Sequence, residues 1–392
     1  MAPLTVAQLK HKFGQQFRET AGRKLALARA PGRINLIGEH TDYNEGLVFP
    51  AAVDRATFVA AQRRADTQVW VYSSNMEEKV TFDIRTMKND PSHGWANYPK
   101  GVMSMLLNQG WKLEGMNVFI ESDVPLGGGM SSSASLELAT AYACLQLFPY
   151  QMDRLNLVKL CQRAENAFVG VSCGIMDQFS SAFGKKGHAI MLDCRTLSFQ
   201  HVPVPQDSHR ILVVNSMVKR RLAGGEYNKR REQCNEAVKA LKAKYPQLKA
   251  LRDLKVSDLP EALPLLGPIP RKRAEHVVRE CQRVTDAVEA LKAKDMAAFG
   301  RLLNESHKSL KELYEVSCTE LDILAEACRK APGAVGARMM GGGFGGCVIA
   351  VVAASEVAKM KNEVSRTYQT RCGMAPQIYD VQLDDGAGEL KA

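Results

Sequence analysis

The segment Val124-Pro-Leu-Gly-Gly-Gly-Met-Ser-Ser-Ser-Ala-Ser135 places a glycine-rich turn between a strand-like stretch and a helix rich in Ala and Leu. Its glycines free the backbone and remove side-chain bulk. Its serines fall at the helix start, where they can cap free N–H groups. A helix N-terminus with exposed amides attracts anions, and serine hydroxyls there could reach a phosphate or Mg²⁺. The spacing is neither a Walker A loop nor GxGxxG, and an ordinary glycine turn before a capped helix would look the same. A second cluster, Pro31 to Tyr43, packs Arg33, Asn35, Glu39, His40 and Asp42 into what reads as a loop. Carboxylates and a histidine on a fixed loop suit the many hydroxyls of a sugar, and an arginine there suits a phosphoryl charge; a polar surface loop is the plain alternative. Asp177 stands where a helix starts. Phosphoryl transfer to a hydroxyl needs a group that orients or deprotonates it. Asp177 could serve if a cation such as Arg33 keeps it ionised, although an acidic residue at a helix start needs no other reason.

The late cluster Met340-Gly-Gly-Gly-Phe-Gly-Gly-Cys347 does contain GxGxxG. A dinucleotide fold would need a helix next, but the β-branched run from Val348 follows instead. The cluster therefore reads as a loop where backbone approaches a ligand or another loop, or as a tight structural turn.

These segments need elements to hold them. An amphipathic helix is expected over Leu4 to Phe17, followed by a short strand over 25–30 that ends at the Pro31-Gly32 turn. Further strands are expected at 47–53, 56–61, 69–73, 80–84, 116–120, 189–192, 211–215 and 348–353. Helices are expected at 98–107, 133–147, 155–168, 175–183, 227–245, 357–368 and, interrupted near Lys294-Asp295, at 273–314. Interleaved strands and helices give an α/β or α+β class. A composition shift puts a soft boundary near 200 to 215.

The 392 residues suffice for two or three domains. Lys and Arg outnumber Asp and Glu 52 to 42, for a net charge of +10. The basic residues are dispersed, and the densest group, Lys219-Arg220-Arg221 with Lys229-Arg230-Arg231, is too short for a nucleic-acid arm. A solvated surface or a small polyanionic substrate accounts for the excess, so neither nucleic acid nor membrane is expected as a partner. The ten cysteines form no CxxC pair and no zinc spacing, which fits a reduced, cytoplasmic setting. No secretory leader and no apolar stretch of about 20 residues is seen.

The order of the motifs is more specific than any one of them. The early PGR…N loop, the PLGGGMSSSAS turn and the late GGGFGG loop resemble the GHMP kinase superfamily. Within it, Gly32 to Asn44, Trp95-Ala-Asn-Tyr98, Cys173 to Gln178 and Gly225-Glu-Tyr227 resemble the galactokinase family. The resemblance runs from about residue 28 to 350. It implies an α+β, two-domain GHMP kinase fold of mixed sheets with helices. The N-terminal domain would span 1–205 and the C-terminal domain 206–392, with the active site in the cleft between them.

It further implies transfer of the γ-phosphoryl of MgATP to the C1 hydroxyl of galactose, the first step of galactose use. Carried over by motif, Asp177 would be the catalytic base and Arg33 its charged partner, both touching substrate. Glu39, His40, Asp42, Gly174 and Tyr227 would hold sugar hydroxyls. Gly127, Gly129, Ser131 and Ser132 would hold ATP phosphates, Ser131 and Glu165 would ligate Mg²⁺, and Trp95 would pack on adenine or serve the core. Within the resemblance, the alternatives are an N-acetylgalactosamine kinase and a non-catalytic sensor that binds galactose and ATP. The Glu39-His-Thr-Asp42 segment and the intact serine run favour the galactose enzyme.

Overall fold

The structure is a computed structural model and describes residues 4–17, 22–125, 127–218 and 223–390. The Lys219-Arg220-Arg221 cluster lies outside those residues. Helix α1 (Val6–Gln16) is followed by β1 (Leu25–Asn35), β2 (Leu47–Val48), β3 (Pro50–Arg63), β4 (Gln68–Ser73) and β5 (Glu78–Asp83). Next come α2 (Asn97–Asn108), β6 (Met116–Ser122), α3 (Ser132–Leu147), α4 (Arg154–Arg163) and α5 (Met176–Phe183). Strands β7 (His188–Asp193), β8 (Phe199–Pro203) and β9 (His209–Asn215) lead into the long helices α6 (Ala223–Leu241), α8 (Pro268–Lys292) and α9 (Met296–Glu312), with the single-turn α7 (Leu259–Ala262) between the first two. The chain closes with α10 (Thr319–Lys330), β10 (Ala334–Met340), β11 (Cys347–Ala353), α11 (Val357–Cys372), β12 (Gln377–Val381) and β13 (Gly388–Glu389).

The strands form a six-stranded sheet in the order β13-β1-β3-β6-β4-β5, a four-stranded sheet β10-β11-β9-β12 and a three-stranded sheet β2-β7-β8. All pairs are antiparallel except β4 with β6. Mixed sheets with helices make this an α+β fold, as expected. Helix α3 is apolar on nearly every side and is buried against β1 and β3, as a helix hydrophobic all round must be. Each fully buried side chain such as Leu138 contributes roughly 1.5–3 kcal/mol. A separate hydrophobic cluster joins the two halves, packing Ile34, Leu36 and Met130 with Val213, Met340 and Ile349. That shared core sets the glycine-rich turn at 127 and the late glycine loop face to face.

Three expectations change. The strand that should stop at the Pro31-Gly32 turn runs on to Asn35 as one eleven-residue strand. The pairing with β3 shifts register between Pro31 and Arg33, and such a bulge tolerates a proline that has no N–H to give. The segments at 47–53 and 56–61 form the short β2 and one long β3 rather than two comparable strands. The helix at 155–168 becomes a π-helical turn over Ala164–Val169. The chain end, from Leu383, returns to the N-terminal sheet, where β13 pairs with β1.

Candidate active site

The shifted register in β1 aims Arg33 beneath the phosphate loop. Gly32 makes this possible: a Cβ there would lie 2.7 Å from the Met130 carbonyl oxygen. The Arg33 amide donates to that same carbonyl at 3.0 Å. The buried guanidinium donates to Asp177 twice, Nε to Oδ1 at 2.7 Å and Nη2 to Oδ2 at 2.8 Å, and to the Gly129 carbonyl at 2.6 Å. Asp177 sits in the first turn of α5. Its Oδ2 also accepts the Ser131 hydroxyl at 2.5 Å. Ser131 precedes α3 in a left-handed conformation (φ 55°, ψ 55°) and makes no side-chain cap. The expected capping by this serine is therefore absent. Its hydroxyl goes to Asp177 and leaves the first amides of α3 without a side-chain cap, the kind of helix start an anion can use.

These groups line one cavity of about 450 Å³. Arg33, Asp177, Gly127, Gly129, Ser131, Ser132 and Glu165 form one part of its wall, and Glu39, His40, Asp42, Gly174 and Tyr227 another. Gly341 and Gly342 of the late loop complete it, so that loop meets the cavity rather than a dinucleotide. Every expected site residue is brought together except Trp95. The Trp95 side chain packs against the N-terminal core and donates Nε1–H to Glu78 at 2.5 Å, outside the cavity lining. With its one polar atom satisfied there, it serves the core rather than the cavity wall.

Glu39 is held by two donors from the opposite half. Its Oε1 accepts from Arg338 (3.1 and 3.2 Å) and from the Gly341 amide (2.8 Å), while Oε2 takes no hydrogen bond from the described residues. Arg338 is fully buried and also donates to the carbonyls of Asn35, Leu36 and Met339. His40 adopts φ 62°, a strained value for a non-glycine residue. Its neighbour Asp42 faces Gly174, where an added Cβ would collide with Asp42 Oδ2; only glycine fits that approach.

Asp177 and Glu165 line the cavity, and Glu137 is buried behind them. Burial, then Asp177, pushes the Glu165 carboxyl up to about 7. Burial, then Glu165, pushes the fully enclosed Glu137 well above the carboxylate range. Gln178 donates Nε2–H to both, at 2.6 Å to Glu165 and 3.0 Å to Glu137. A carboxyl that releases its proton near neutrality, as Glu165 does, suits a divalent cation arriving with phosphates. The donor pair of Ser131 and Glu165 fits that ion only with phosphate oxygens added, since no cluster of three or more His, Cys, Asp or Glu among the described residues could hold a metal alone.

Comparison with known proteins follows the same residues. The family model "Galactokinase galactose-binding signature" matches residues 15–63, "GHMP kinases N terminal domain" matches 97–185, and "GHMP kinases C terminal" matches 287–370. The galactokinase of Chloroflexus aurantiacus is 46% identical over 347 residues, covering 88% of this chain and 89% of that one. The galactokinase of Fusobacterium nucleatum is 43% identical over 366 residues, covering 92% and 94%. This chain belongs to the galactokinase family. The galactose complex of Lactococcus lactis galactokinase superimposes with a TM-score of 0.92 at 38% identity, over 98% of this chain and 100% of that one. L. major mevalonate kinase, at 19% identity and a TM-score of 0.62 over 93% of this chain and 97% of that one, shares the fold.

Several residues that support the lining of this galactokinase-family cavity from behind were not singled out from sequence: Glu137, Gln178, Arg338 and Tyr43. Two of them carried a signal. Glu137 is the one acidic residue of α3, and Arg338 the one charged residue of β10. A lone charge in an apolar element must find a buried partner. Arg230, counted with the basic clusters, is also buried, donating to the Tyr314 and Glu315 carbonyls. No helix among the described residues is long and apolar enough to cross a membrane.

Asp42 yields a pH prediction. Burial, then Asp177, raises its carboxyl from 3.8 to about 7. The folded state thus holds this proton more tightly than the unfolded chain. Its contribution is full below 3.8 and lost as the pH rises toward about 7. Thermal unfolding of the ligand-free protein is expected to show that loss, and Asp42→Asn to flatten it across the same window. Parallel profiles for the two proteins would mean that Asp42 is not protonated in the fold.

Proposed function

We propose that this protein transfers the γ-phosphoryl group of MgATP to the C1 hydroxyl of α-D-galactose, giving galactose 1-phosphate and ADP. The observation that carries the reading is one carboxylate, Asp177, tied to Arg33 and to Ser131 of the phosphate loop, in a cavity whose other wall is the Glu39–Asp42 segment. The galactose in the Lactococcus lactis relative supports the sugar. The ten free cysteines suit a cytoplasmic setting.

The uncapped start of α3, with Gly127, Gly129 and Ser132, takes phosphate oxygens. Ser131 and Glu165 would hold Mg²⁺, which when bound screens the β- and γ-phosphate charge. Glu39, His40, Asp42, Gly174 and Tyr227 orient the sugar; the free Oε2 of Glu39 accepts one of its hydroxyls. Arg33 grips both oxygens of Asp177 and holds the carboxyl group in place. When Ser131 turns to the phosphates, Asp177 Oδ2 gains room for the C1 hydroxyl. That oxygen attacks the γ-phosphorus, the bond to the ADP oxygen breaks, and the hydroxyl proton passes to Asp177. Holding the two reactants in line can account for roughly 7–11 kcal/mol of barrier.

ADP release should be measured with MgATP and a panel of galactose, N-acetylgalactosamine, glucose and mevalonate. Turnover is expected with galactose far above the rest. Binding of galactose and ATP without turnover would replace this reading with a sensor, and preferred turnover of N-acetylgalactosamine would reassign the sugar.

A further inference from the structure

Behind His40 the wall of the cavity holds a continuous line of polar atoms in an otherwise apolar core. His40 Nδ1 lies 2.9 Å from Tyr43 Oη, which lies 2.7 Å from Tyr314 Oη. Tyr314 Oη lies 3.2 Å from Cys234 Sγ, which is 3.6 Å from Asn44 Nδ2. Tyr314 and Cys234 are buried, as are Asn44 and His40. On the other side of the ring, His40 Nε2 is buried with no well-formed hydrogen bond among the described residues, and His40 lines the cavity.

The direction of this line follows from its far end. Asn44 Nδ2 also meets the His40 carbonyl at 3.0 Å. A carbonyl can only accept, so the amide nitrogen occupies that corner. The second amide hydrogen then goes to Cys234 Sγ, which accepts it. Tyr314 Oη is the one acceptor that Cys234 S–H has among the described residues. With that bond made, the Tyr314 hydroxyl donates to Tyr43, and the Tyr43 hydroxyl donates to His40 Nδ1. The strongest acceptor of the series, the imidazole lone pair, thus receives a hydroxyl proton. The reverse direction would end on an O–H to sulfur contact and leave S–H without a partner, a weaker set throughout.

We infer that the Asn44–Cys234–Tyr314–Tyr43 chain fixes the tautomer of His40, so that the ring presents Nε2–H as a donor to the cavity and reads a substrate oxygen there as an acceptor. Tyr43, Tyr314 and Cys234 are positioning residues, acting through His40. Burial, then His276 and Arg230, lowers the His40 basicity to about 3, so the ring is neutral in the working range and must carry its single proton on one nitrogen. The Gly342 carbonyl, on the cavity wall, also acts on the ring as an acceptor. The proposal rests on the sugar-kinase reading only for the nature of the acceptor; the tautomer itself is independent of it.

The test is a long-range proton–nitrogen NMR spectrum of the full chain labelled with ¹⁵N-histidine, without ligand at neutral pH. His40 is assigned by its loss in His40→Gln. The expected pattern is Nε2–H. In Tyr43→Phe, which deletes the hydroxyl that donates to Nδ1, the His40 signals are expected to move toward the Nδ1–H pattern. KM for galactose should rise about 3- to 10-fold, the worth of one neutral hydrogen bond, with kcat little changed. Tyr314→Phe should move both readouts the same way by less. A wild-type Nδ1–H pattern overturns the proposal, and needs no variant to fold. An unchanged tautomer in Tyr43→Phe overturns the chain as its cause, whatever sugar the enzyme prefers.

Discussion

Asp177→Asn is expected to lower kcat by about 10²- to 10⁴-fold, the range a positioned general base supplies, and to leave the fold intact. Asparagine keeps the shape and can still turn its oxygen toward Arg33, but it has no charge and cannot take the proton of the sugar hydroxyl. Arg33 loses its counter-charge, so some stability is lost as well. The pair is only partly buried, with side-chain exposures of 7% and 26%, and water takes up part of the freed charge. The measurement is kcat beside thermal unfolding. A fall in kcat with a folded protein places Asp177 at the reacting hydroxyl. Near-normal kcat would remove it as the base and leave Arg33 as the group that acts on the phosphoryl charge.

The second large effect lies outside the cavity wall. Arg338→Met is expected to destabilise the protein by about 3–5 kcal/mol, the cost of leaving one partner of a buried ion pair alone. Side-chain exposure at this pair is 0% for Arg338 and 3% for Glu39, so solvent cannot take up the charge. The same substitution frees the carbonyls of Asn35 and Leu36 and unties the Glu39 carboxylate, so KM for the sugar should rise in parallel. Adding Glu39→Gln should restore part of the stability, because the stranded charge is gone, but not the KM. Denaturant unfolding of the single and double variants checks this. A loss under about 1 kcal/mol, the level of an exposed pair, would show that Arg338 is not bearing on Glu39.

Both effects join segments far apart in the chain, and that separates what could be read early from what could not. The helix from Ser132 was legible because its apolar run and its glycine-rich start are local. So was the break between α8 and α9, where Lys294 adopts φ 58° and Asp295 caps the next helix. The short β12 and β13 gave no comparable signal, since a two- or five-residue strand exists only through its partner. Strand β10 was missed for its Gly, Ala and Met content, which has little strand preference by itself.

The sequence by itself determined the order and chemistry of the motifs: a phosphate-type turn at 127, a sugar-type cluster at 33–42, an acid at 177 and a glycine loop at 341. Residue type and local spacing suffice for that, because turns, caps and periodicity are properties of a few neighbouring residues. Tertiary structure alone decided that Arg33 pairs with Asp177, that Ser131 spends its hydroxyl on that acid instead of a cap, and that Trp95 stays with Glu78. It also decided that Glu39 is clamped by Arg338 and that His40 is backed by Tyr314 through Tyr43. Those contacts depend on how sheets and helices from both halves pack around one shared core. Packing is settled by the whole chain at once, and no window of sequence contains it.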